Sequence, residues 1–315
     1  MISKLVIPSQ PLKLKNYFRE KSFLLAVVGA VLIWSASFVA TKVAFRAFPP
    51  FTLGALRFIF AALLLGLFLR LRRGFVRPAR HHLGWLLLSG ILGITIYFAM
   101  ENWGVQLATA ADASLIVASY PAITMLLELV FYRVPLSPLR LLGVALALLG
   151  VSLIVREASN IGGAHRFSGD LLLAAAGVVW SFYNFVTRKV VNHYPTVLIT
   201  FYQTVAGAVA FVPLALLERG QWRPPAPDSL LALLYLGIFC SLLAFLLYAY
   251  GLRRLASSTA VTLMNLVPVC GVLLSVLFLR EAMSIFQYLG GLIVIAGIVL
   301  SVRQVKQESC DGEVE

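Results

Sequence analysis

Charged residues are scarce in this 315-residue chain, and acidic ones are the scarcer kind. Only 12% of the residues are Asp, Glu, Lys or Arg, with 13 acids against 26 bases, while 60% are hydrophobic and the mean hydropathy is +0.92. A soluble domain has no interior large enough for this apolar content, whereas a bilayer does. The bases lie in short loops between apolar runs, so the net charge of +13 does not favour a nucleic-acid partner.

Cysteine and histidine are also rare, which argues against disulfides, metals and metal-dependent catalysis. Two of the three cysteines lie in apolar runs and one in the C-terminal tail, so they form no disulfide framework. The histidines lie at loops or span ends, and neither HExxH nor a GxxxxGK[ST] loop occurs. The residues concerned are Cys240, Cys270, Cys310, His81, His82, His165 and His193. The sequence predicts no metal, no cofactor and no catalytic residue, and so disfavours a membrane enzyme.

No cleavable leader is evident at the start of the chain. Residues 1–22 are polar and basic, and the first apolar run is followed by Lys42 rather than by a small-residue cleavage site. We expect the first apolar run to remain as a membrane anchor.

Ten apolar segments, each about as long as a membrane-crossing helix, follow one another with short connections. They cover residues 23–43, 50–70, 83–103, 109–132, 138–156, 169–188, 196–217, 229–251, 256–279 and 284–303. The longest breaks lie around Arg70–His82, Ser159–Ser168 and Arg223–Asp228, which leaves no room for a soluble catalytic domain. The sequence predicts an all-α integral membrane protein with ten transmembrane helices.

The ten segments are two copies of one five-helix unit. Residues 84–155 align without a gap on 231–302 at a shift of 147, and the match continues upstream at a shift of 146. Matched pairs include Gly90 and Gly237, Pro121 and Pro268, Arg133 and Arg280, Gly150 and Gly297, and Trp34 and Trp180. Because five is odd, the second copy enters the bilayer inverted, as is typical of secondary transporters with a substrate site between the halves.

Loop charges predict the orientation. If the N-terminus is cytoplasmic, 18 Lys and Arg residues fall on the inner side and 7 on the outer side, with Arg57 inside a span. We therefore expect a cytoplasmic tail at 1–22, repeats at 23–156 and 169–303, and a second cytoplasmic tail at 304–315.

The pattern resembles the drug/metabolite transporter superfamily, in particular its ten-span members with two EamA-type repeats. The resemblance covers residues 23–303. It is carried by Leu32-Ile33-Trp34-Ser35 with Phe38 and Lys42, by Leu53–Arg57, and by the run from Val267-Pro268 through Arg280-Glu281 to Gly290-Gly291 and Gly297. The first copy departs from that last signature, since Val134 stands where the acid would be. The resemblance implies helices around a central cavity, and export or exchange of amino acids, metabolites or drugs across the cytoplasmic membrane.

Ionisable groups within spans are costly unless paired or facing a cavity, which makes them functional candidates. They are Arg57, Glu101, Asp112 and Glu128, with Lys42 at a span end. The helical rise places all but Glu128 at similar depth towards the outer side. We expect Arg57 to pair there with Glu101 or Asp112, as an outer gate or a proton-coupled carboxylate. Alternatively, Lys42 snorkels to the interface and the acids cap helix ends.

The second copy lacks these acids. Its matched residues are Arg188, Gln203, Tyr248 and Thr259, so any proton coupling is expected in the first repeat. Glu128, close to Tyr132 and Arg133 near the inner interface, is expected to form a local ion pair.

Polar and aromatic residues that interrupt apolar helices are candidates for lining a midplane cavity. They are Trp34, Phe38, Tyr97, Tyr120, Trp180, Tyr183, Asn184, Gln203, Tyr248 and Asn265. Such a wall suits a neutral or zwitterionic organic solute with an apolar part. Single Trp and Tyr residues in interfacial belts are the alternative.

Matched prolines and glycines have simpler roles. Pro121 and Pro268 lie about a dozen residues into spans four and nine, where a freed carbonyl permits a kink, either as a hinge or as inherited packing. Gly143–Gly150 and Gly290–Gly297 each carry glycines seven apart, which indicates close helix packing.

Taken together, the residues and the resemblance predict a transporter that exports a small organic solute by alternating access, with protons as the candidate coupling ion. Facilitated exchange without a titrating group stays open. A sensor or structural protein derived from a transporter is the alternative, and the absence of charge rings disfavours a channel.

Overall fold

The residues that the structure describes form a bundle of ten helical spans. The computed structural model describes residues 11–133, 135–251 and 263–311, and no strand occurs among them. Spans 1 to 10 are, in order, Ser22–Ala44, Pro50–Leu71, Arg80–Leu107, Ala110–Tyr132, Pro138–Glu157, Gly163–Thr187, Thr196–Leu217, Pro227–Tyr248, Leu266–Leu279 and Ile285–Ser301. The first eight are long and apolar enough to cross a membrane, and the last two are shorter apolar helices. The predicted all-α fold of two inverted five-helix repeats is confirmed.

The described helices extend the predicted spans at several ends. The first helix begins at Pro11 and breaks between Ser35 and Ser37, and the last continues to Asp311. Val134, Arg253, Arg254, Thr259 and the first residues of the predicted ninth span, 256–262, lie outside the described residues.

The connection between spans 5 and 6 corrects the prediction of a loop at Ser159–Ser168. Span 6 begins at Gly163, which adopts φ 66° and ψ −166°, a conformation open to glycine because it has no Cβ. The chain therefore reverses there and helix resumes at once. Arg166, predicted in an outer loop, lies in the first turn of span 6.

Helix contacts follow the relation between the two repeats. Spans 2 and 7 pack together, as do spans 4 and 9, and 5 and 10, so each of these pairs joins equivalent helices. Span 3 packs on span 6, and its equivalent, span 8, packs on span 1. The equivalent residues Arg133 and Arg280 both end their helices in the left-handed conformation, at φ 54°. The inverted repeats thus meet along a shared interface.

Contacts between connectors define the two ends of the bundle. At one end Glu218 accepts from the N–H of Thr52 at 2.7 Å, and Glu281 accepts from the N–H of Ala110 at 2.9 Å. We call this the acid end. At the other, which we call the basic end, the connector 72–79 meets 188–195, where the N–H of Ala79 donates to the Tyr194 hydroxyl at 2.9 Å. Many large apolar side chains between the ends are exposed, as a lipid-facing surface requires.

Spans 5 and 10 approach so closely that backbone touches backbone. A Cβ on Gly143 would lie 2.5 Å from the Gly297 carbonyl oxygen, and one on Gly150 would lie 2.6 Å from that of Gly290. The prediction that these glycines permit close packing is confirmed.

We expect Gly150→Ala to lower the thermal stability of the purified protein, because a backbone oxygen of span 10 occupies the space of the new methyl group. Overpacking of this kind costs about 1–3 kcal/mol. Melting curves in detergent measure the loss. Gly84→Ala in span 3 is the matched control, since nothing lies within 4 Å of a Cβ there. Equal melting temperatures for Gly150→Ala and wild type would contradict the close crossing.

Candidate functional site

Spans 3 and 8 carry π-helical segments at equivalent places. These are Ile91–Ile96 and Tyr235–Leu243, and the shift of 147 aligns the six residues of the first with the last six of the nine residues of the second. A π-turn widens the helix and is frequent at functional sites. The Thr95 hydroxyl donates to the Gly207 carbonyl in span 7 at 2.9 Å, while Ser241 bonds back to the Leu236 carbonyl five residues earlier. Each segment faces the opposite repeat.

An aromatic group spans the repeat interface immediately after the first π-segment. Tyr97 lies with its ring centroid 5.0 Å from that of Trp180 and 6.1 Å from that of Tyr120, and Trp180 lies 4.9 Å from Tyr183. Tyr97 and Tyr120 are buried, and the Tyr120 hydroxyl donates to the Leu173 carbonyl at 2.9 Å. Four of the ten predicted cavity residues therefore touch one another. Tyr97, Tyr120, Trp180 and Tyr183 are called the aromatic group below.

A buried acid lies at one edge of the aromatic group. Glu101, one helical turn after Tyr97, accepts a hydrogen bond from the Tyr97 hydroxyl. The side chain is buried within span 3 among apolar helices. An ionisable group is thus hydrogen-bonded to one member of the aromatic group.

Arg57 does not form the ion pair predicted with Glu101 or Asp112. Its Nε donates to the Ser241 hydroxyl at 2.9 Å, and its guanidinium lies 4.8 Å from the ring centroid of Phe98 and 5.1 Å from that of Phe58. Ser241 belongs to the second π-segment, in span 8, which packs beside span 2. The depth of Arg57 in the membrane could not predict this partner, because depth does not identify the neighbouring helix. Arg57 and Glu101 still interact electrostatically.

Gln203 repeats the placement of Arg57 without its charge. It is the equivalent residue in span 7, and its amide donates to the Ser89 hydroxyl at 2.9 Å and to the Thr187 hydroxyl at 3.1 Å. The Tyr183 hydroxyl donates to its Oε1 at 3.4 Å. Gln203 therefore joins the far edge of the aromatic group to span 3.

The other predicted cavity residues lie apart from the aromatic group or around it. Trp34 packs on Tyr248, with centroids 5.6 Å apart, and its indole N–H donates to the Cys240 carbonyl at 3.0 Å. Phe38 is buried in the same core as Tyr97. Asn184 and Asn265 are half-buried, and the side chain of neither hydrogen-bonds to another described residue. The ten predicted residues therefore do not line one cavity. Four form the aromatic group, and Trp34 and Tyr248 form a separate pair.

Polar contacts tie spans 1, 3, 4, 6 and 10 together at the acid end. The Asp112 carboxylate accepts hydrogen bonds from the Arg166 Nε at 2.8 Å and from the Gln287 amide at 2.5 Å. Lys42 donates a hydrogen bond to the Ala108 carbonyl at 2.5 Å and so caps the C-terminus of span 3. Asp112 also completes a capping box with Thr109. Asp112 therefore caps the N-terminus of span 4, as the alternative hypothesis stated, and forms the ion pair as well.

Sequence reasoning missed three members of this assembly. Arg166 appeared to lie in a loop, and Gln287 carries no charge to mark it. Asp170 is the second residue of the predicted span 169–188, and the rule on ionisable groups inside spans would have selected it. It is fully buried next to Asp112 and Arg166.

At the basic end an ion pair joins the repeats. Arg188 contacts Glu128 at 2.5 Å, so the prediction of a local ion pair for Glu128 is wrong. Arg133 ends span 4 in the left-handed conformation, and the following repeat supplies the cation instead. Arg188 is equivalent to Lys42, so matched bases act at opposite ends.

Both matched prolines follow a break in their helix. Span 4 is interrupted at Ser119, two residues before Pro121, and span 9 has its break at Asn265, three residues before Pro268. A one-residue break thus precedes each proline, at positions one residue apart in the repeat alignment, and the hinge role stays a prediction.

Two open recesses lie outside the aromatic group. A groove of about 670 Å³ between spans 2 and 7 is apolar and flanked by exposed Leu63 and Val209, which indicates a lipid-facing surface. A recess of about 330 Å³ at the acid end is lined by residues that include Arg46, Gln106 and Arg223.

Comparison with known proteins agrees with this architecture. The model of the EamA-like transporter family matches residues 21–156 and 167–303. An uncharacterized transporter of Archaeoglobus fulgidus is 30% identical, with 88% of this chain and 96% of that protein covered. A probable terminal-alkyne amino-acid exporter of Streptantibioticus cattleyicolor is 27% identical (89% and 93% covered), and a probable amino-acid metabolite efflux pump of Salmonella typhimurium is 28% identical (90% and 95%).

One solved crystal structure has the same fold, with a TM-score of 0.61, 25% identity, and 90% of this chain and 97% of that chain covered. Because the family model matches both repeats, this chain belongs to the EamA-like transporter family.

Proposed function

We propose that this protein exports a small zwitterionic solute with an apolar part, such as an amino acid, in exchange for protons. The observation that carries the proposal is Glu101, a buried acid hydrogen-bonded to Tyr97, whose ring packs on Trp180 of the other repeat. An acid in this place is able to exchange a proton for the ammonium group of a substrate. Inverted-repeat transporters bind their substrates at such an interface.

The substrate class follows from the chemistry of the aromatic group. Tyr97, Tyr120, Trp180 and Tyr183 offer faces for an apolar side chain and for a cation. Glu101 offers a carboxylate for an ammonium group, and Arg57 carries the opposite charge nearby. Two relatives bear the names of an amino-acid exporter and an amino-acid metabolite efflux pump, which supports the same class.

Export requires the two ends to open in turn. At the acid end Asp112 and Arg166 join the repeats, and at the basic end Glu128 and Arg188 do so. Each set bridges helices that must separate for water to enter. The breaks beside Pro121 and Pro268 in spans 4 and 9 are suitable hinges for that motion.

The orientation is proposed from loop charge. The basic end collects most of the loop Lys and Arg residues, which favours the cytoplasmic side of the cell's inner membrane and places both termini there. The acid end then faces outwards.

We expect Glu101→Gln to abolish accumulation driven by a pH gradient, because glutamine cannot bind and release a proton. Counterflow of the same solute should persist at higher solute concentrations, because the glutamine carbonyl still accepts a hydrogen bond from the ammonium group. Uptake of labelled apolar amino acids into proteoliposomes, with cationic drugs for comparison, measures both activities. Asp228→Asn is the control, since Asp228 is exposed and paired with exposed Arg46. If Glu101→Gln leaves gradient-driven accumulation intact, Glu101 is not the coupling residue. If no solute moves in either mode, the sensor alternative gains support.

We expect Trp180→Phe to weaken solute binding by about 2- to 10-fold, the magnitude of an aromatic contact of about 0.5–1.5 kcal/mol. The concentration for half-maximal counterflow measures it. Trp85→Phe makes the same change at an exposed position of span 3 and should leave that concentration unaltered. An equal effect of both variants would remove the aromatic group from the binding site.

A further inference from the structure

Asp170 is the most unusual polar group among the described residues. It lies in the second turn of span 6 at the acid end, and its side chain is fully buried. Neither of its carboxylate oxygens has a hydrogen-bond partner. A buried carboxylate without a donor or a paired cation is costly if it is ionised, by far more than a neutral group of the same shape.

The nearest cation, Arg166, is directed to Asp112 and not to Asp170. Arg166, one helical turn earlier, donates its Nε to Asp112 at 2.8 Å, and a terminal nitrogen lies 2.8 Å from the same oxygen as an ion pair without hydrogen-bond geometry. The amide of Gln287, from span 10, also donates to Asp112. Asp170 therefore lies beside a second carboxylate whose donors are already used.

The remaining charges around the pair Asp112 and Arg166 do not supply the missing partner. Lys42 of span 1 donates to the Ala108 carbonyl. Glu281, from the connector before span 10, accepts from the N–H groups of Ala110 and Ala111 at 2.9 and 3.0 Å. With Asp112 and Asp170 this gives three acids against two bases, Lys42 and Arg166. One proton would balance the charge.

We propose that Asp170 is a proton-binding site that holds the acid end closed. In the closed arrangement the carboxyl group is neutral, and when the end opens its proton passes to water while the carboxylate becomes hydrated. Closing reverses the step, with a proton taken from the water on the acid-end side. A proton is favoured over a metal ion because the described residues contain no group of three or more acidic, His or Cys ligands suited to a metal. The site is separate from Glu101, and its gating role rests on the proposed transport function.

A spectroscopic test addresses the proton directly and needs no substrate. Infrared difference spectra of the purified protein between mildly acidic and alkaline pH should contain a protonated carboxylic acid band that disappears in Asp170→Asn. Asp228→Asn, which changes an exposed acid at the same end, should retain the band. A band unaffected by Asp170→Asn would overturn the proposal.

Stability gives a second readout. Asparagine has the shape of the neutral acid, so Asp170→Asn should fold and should lose the decline in melting temperature that wild type shows as pH rises. The sign follows because wild type must give up the proton of a buried, unpaired group as pH rises. A variant that fails to fold beside a stable wild type would mean that the ionised form is needed, which contradicts the proposal. Stabilisation by sodium that Asp170→Asn abolishes would also contradict it, in favour of a cation site.

Transport separates this inference from the role of Glu101. Wild-type counterflow should become faster as pH rises on the acid-end side, and Asp170→Asn should be slow and independent of that pH. Glu101→Gln should lose gradient-driven accumulation and keep the pH dependence of counterflow. If Asp170→Asn keeps the wild-type pH dependence, Asp170 does not gate the acid end. If no solute is transported, the infrared and stability results still decide whether Asp170 binds the proton.

Discussion

Hydrocarbon offers no hydrogen bonds, so each polar group that this chain carries into the bilayer must find its partner within the protein. That constraint determines where the two repeats are joined. Arg57 reaches the second π-segment through Ser241, and Gln203 reaches span 3 through Ser89. In both cases a polar group of one repeat is satisfied by the other, and these two contacts lie around the candidate site. The same bonds that make the bundle stable therefore hold the aromatic group in place.

The two repeats share a backbone plan and differ in chemistry. Equivalent positions hold Arg57 and Gln203 in spans 2 and 7, and Glu101 and Tyr248 in spans 3 and 8. The charge lies in the first repeat in both cases, while the hydrogen-bonding roles of Arg57 and Gln203 are alike. An inverted pair needs the common plan in order to exchange conformations between the two ends. Because the side chains are unequal, different forces hold the two ends.

The sequence was sufficient for the spans, the duplication and the close glycine crossing, since each depends on periodicity or spacing within the chain. It was insufficient for the ion pairs. The helical rise gave the depth of Arg57 correctly enough to place it near Glu101, but depth does not say which helix lies next to which. The partner of Arg57 is Ser241, and that of Glu128 is Arg188, each from the other repeat. The prediction missed Arg166 because it placed a loop at Ser159–Ser168, whereas the helix resumes directly at Gly163.

The contacts at the two ends are unequal in kind. At the acid end the pair of Asp112 and Arg166 is buried, and Gln287 adds a hydrogen bond to the same carboxylate. At the basic end the Arg188 side chain is 62% exposed in its pair with Glu128. Exposed ion pairs contribute little to stability, whereas breaking a buried one leaves charges that only entering water can satisfy. Among the described contacts, the basic end is therefore the easier one to open. We infer that the empty protein rests with its acid end closed, which the proposed export, with loading at the basic end, requires.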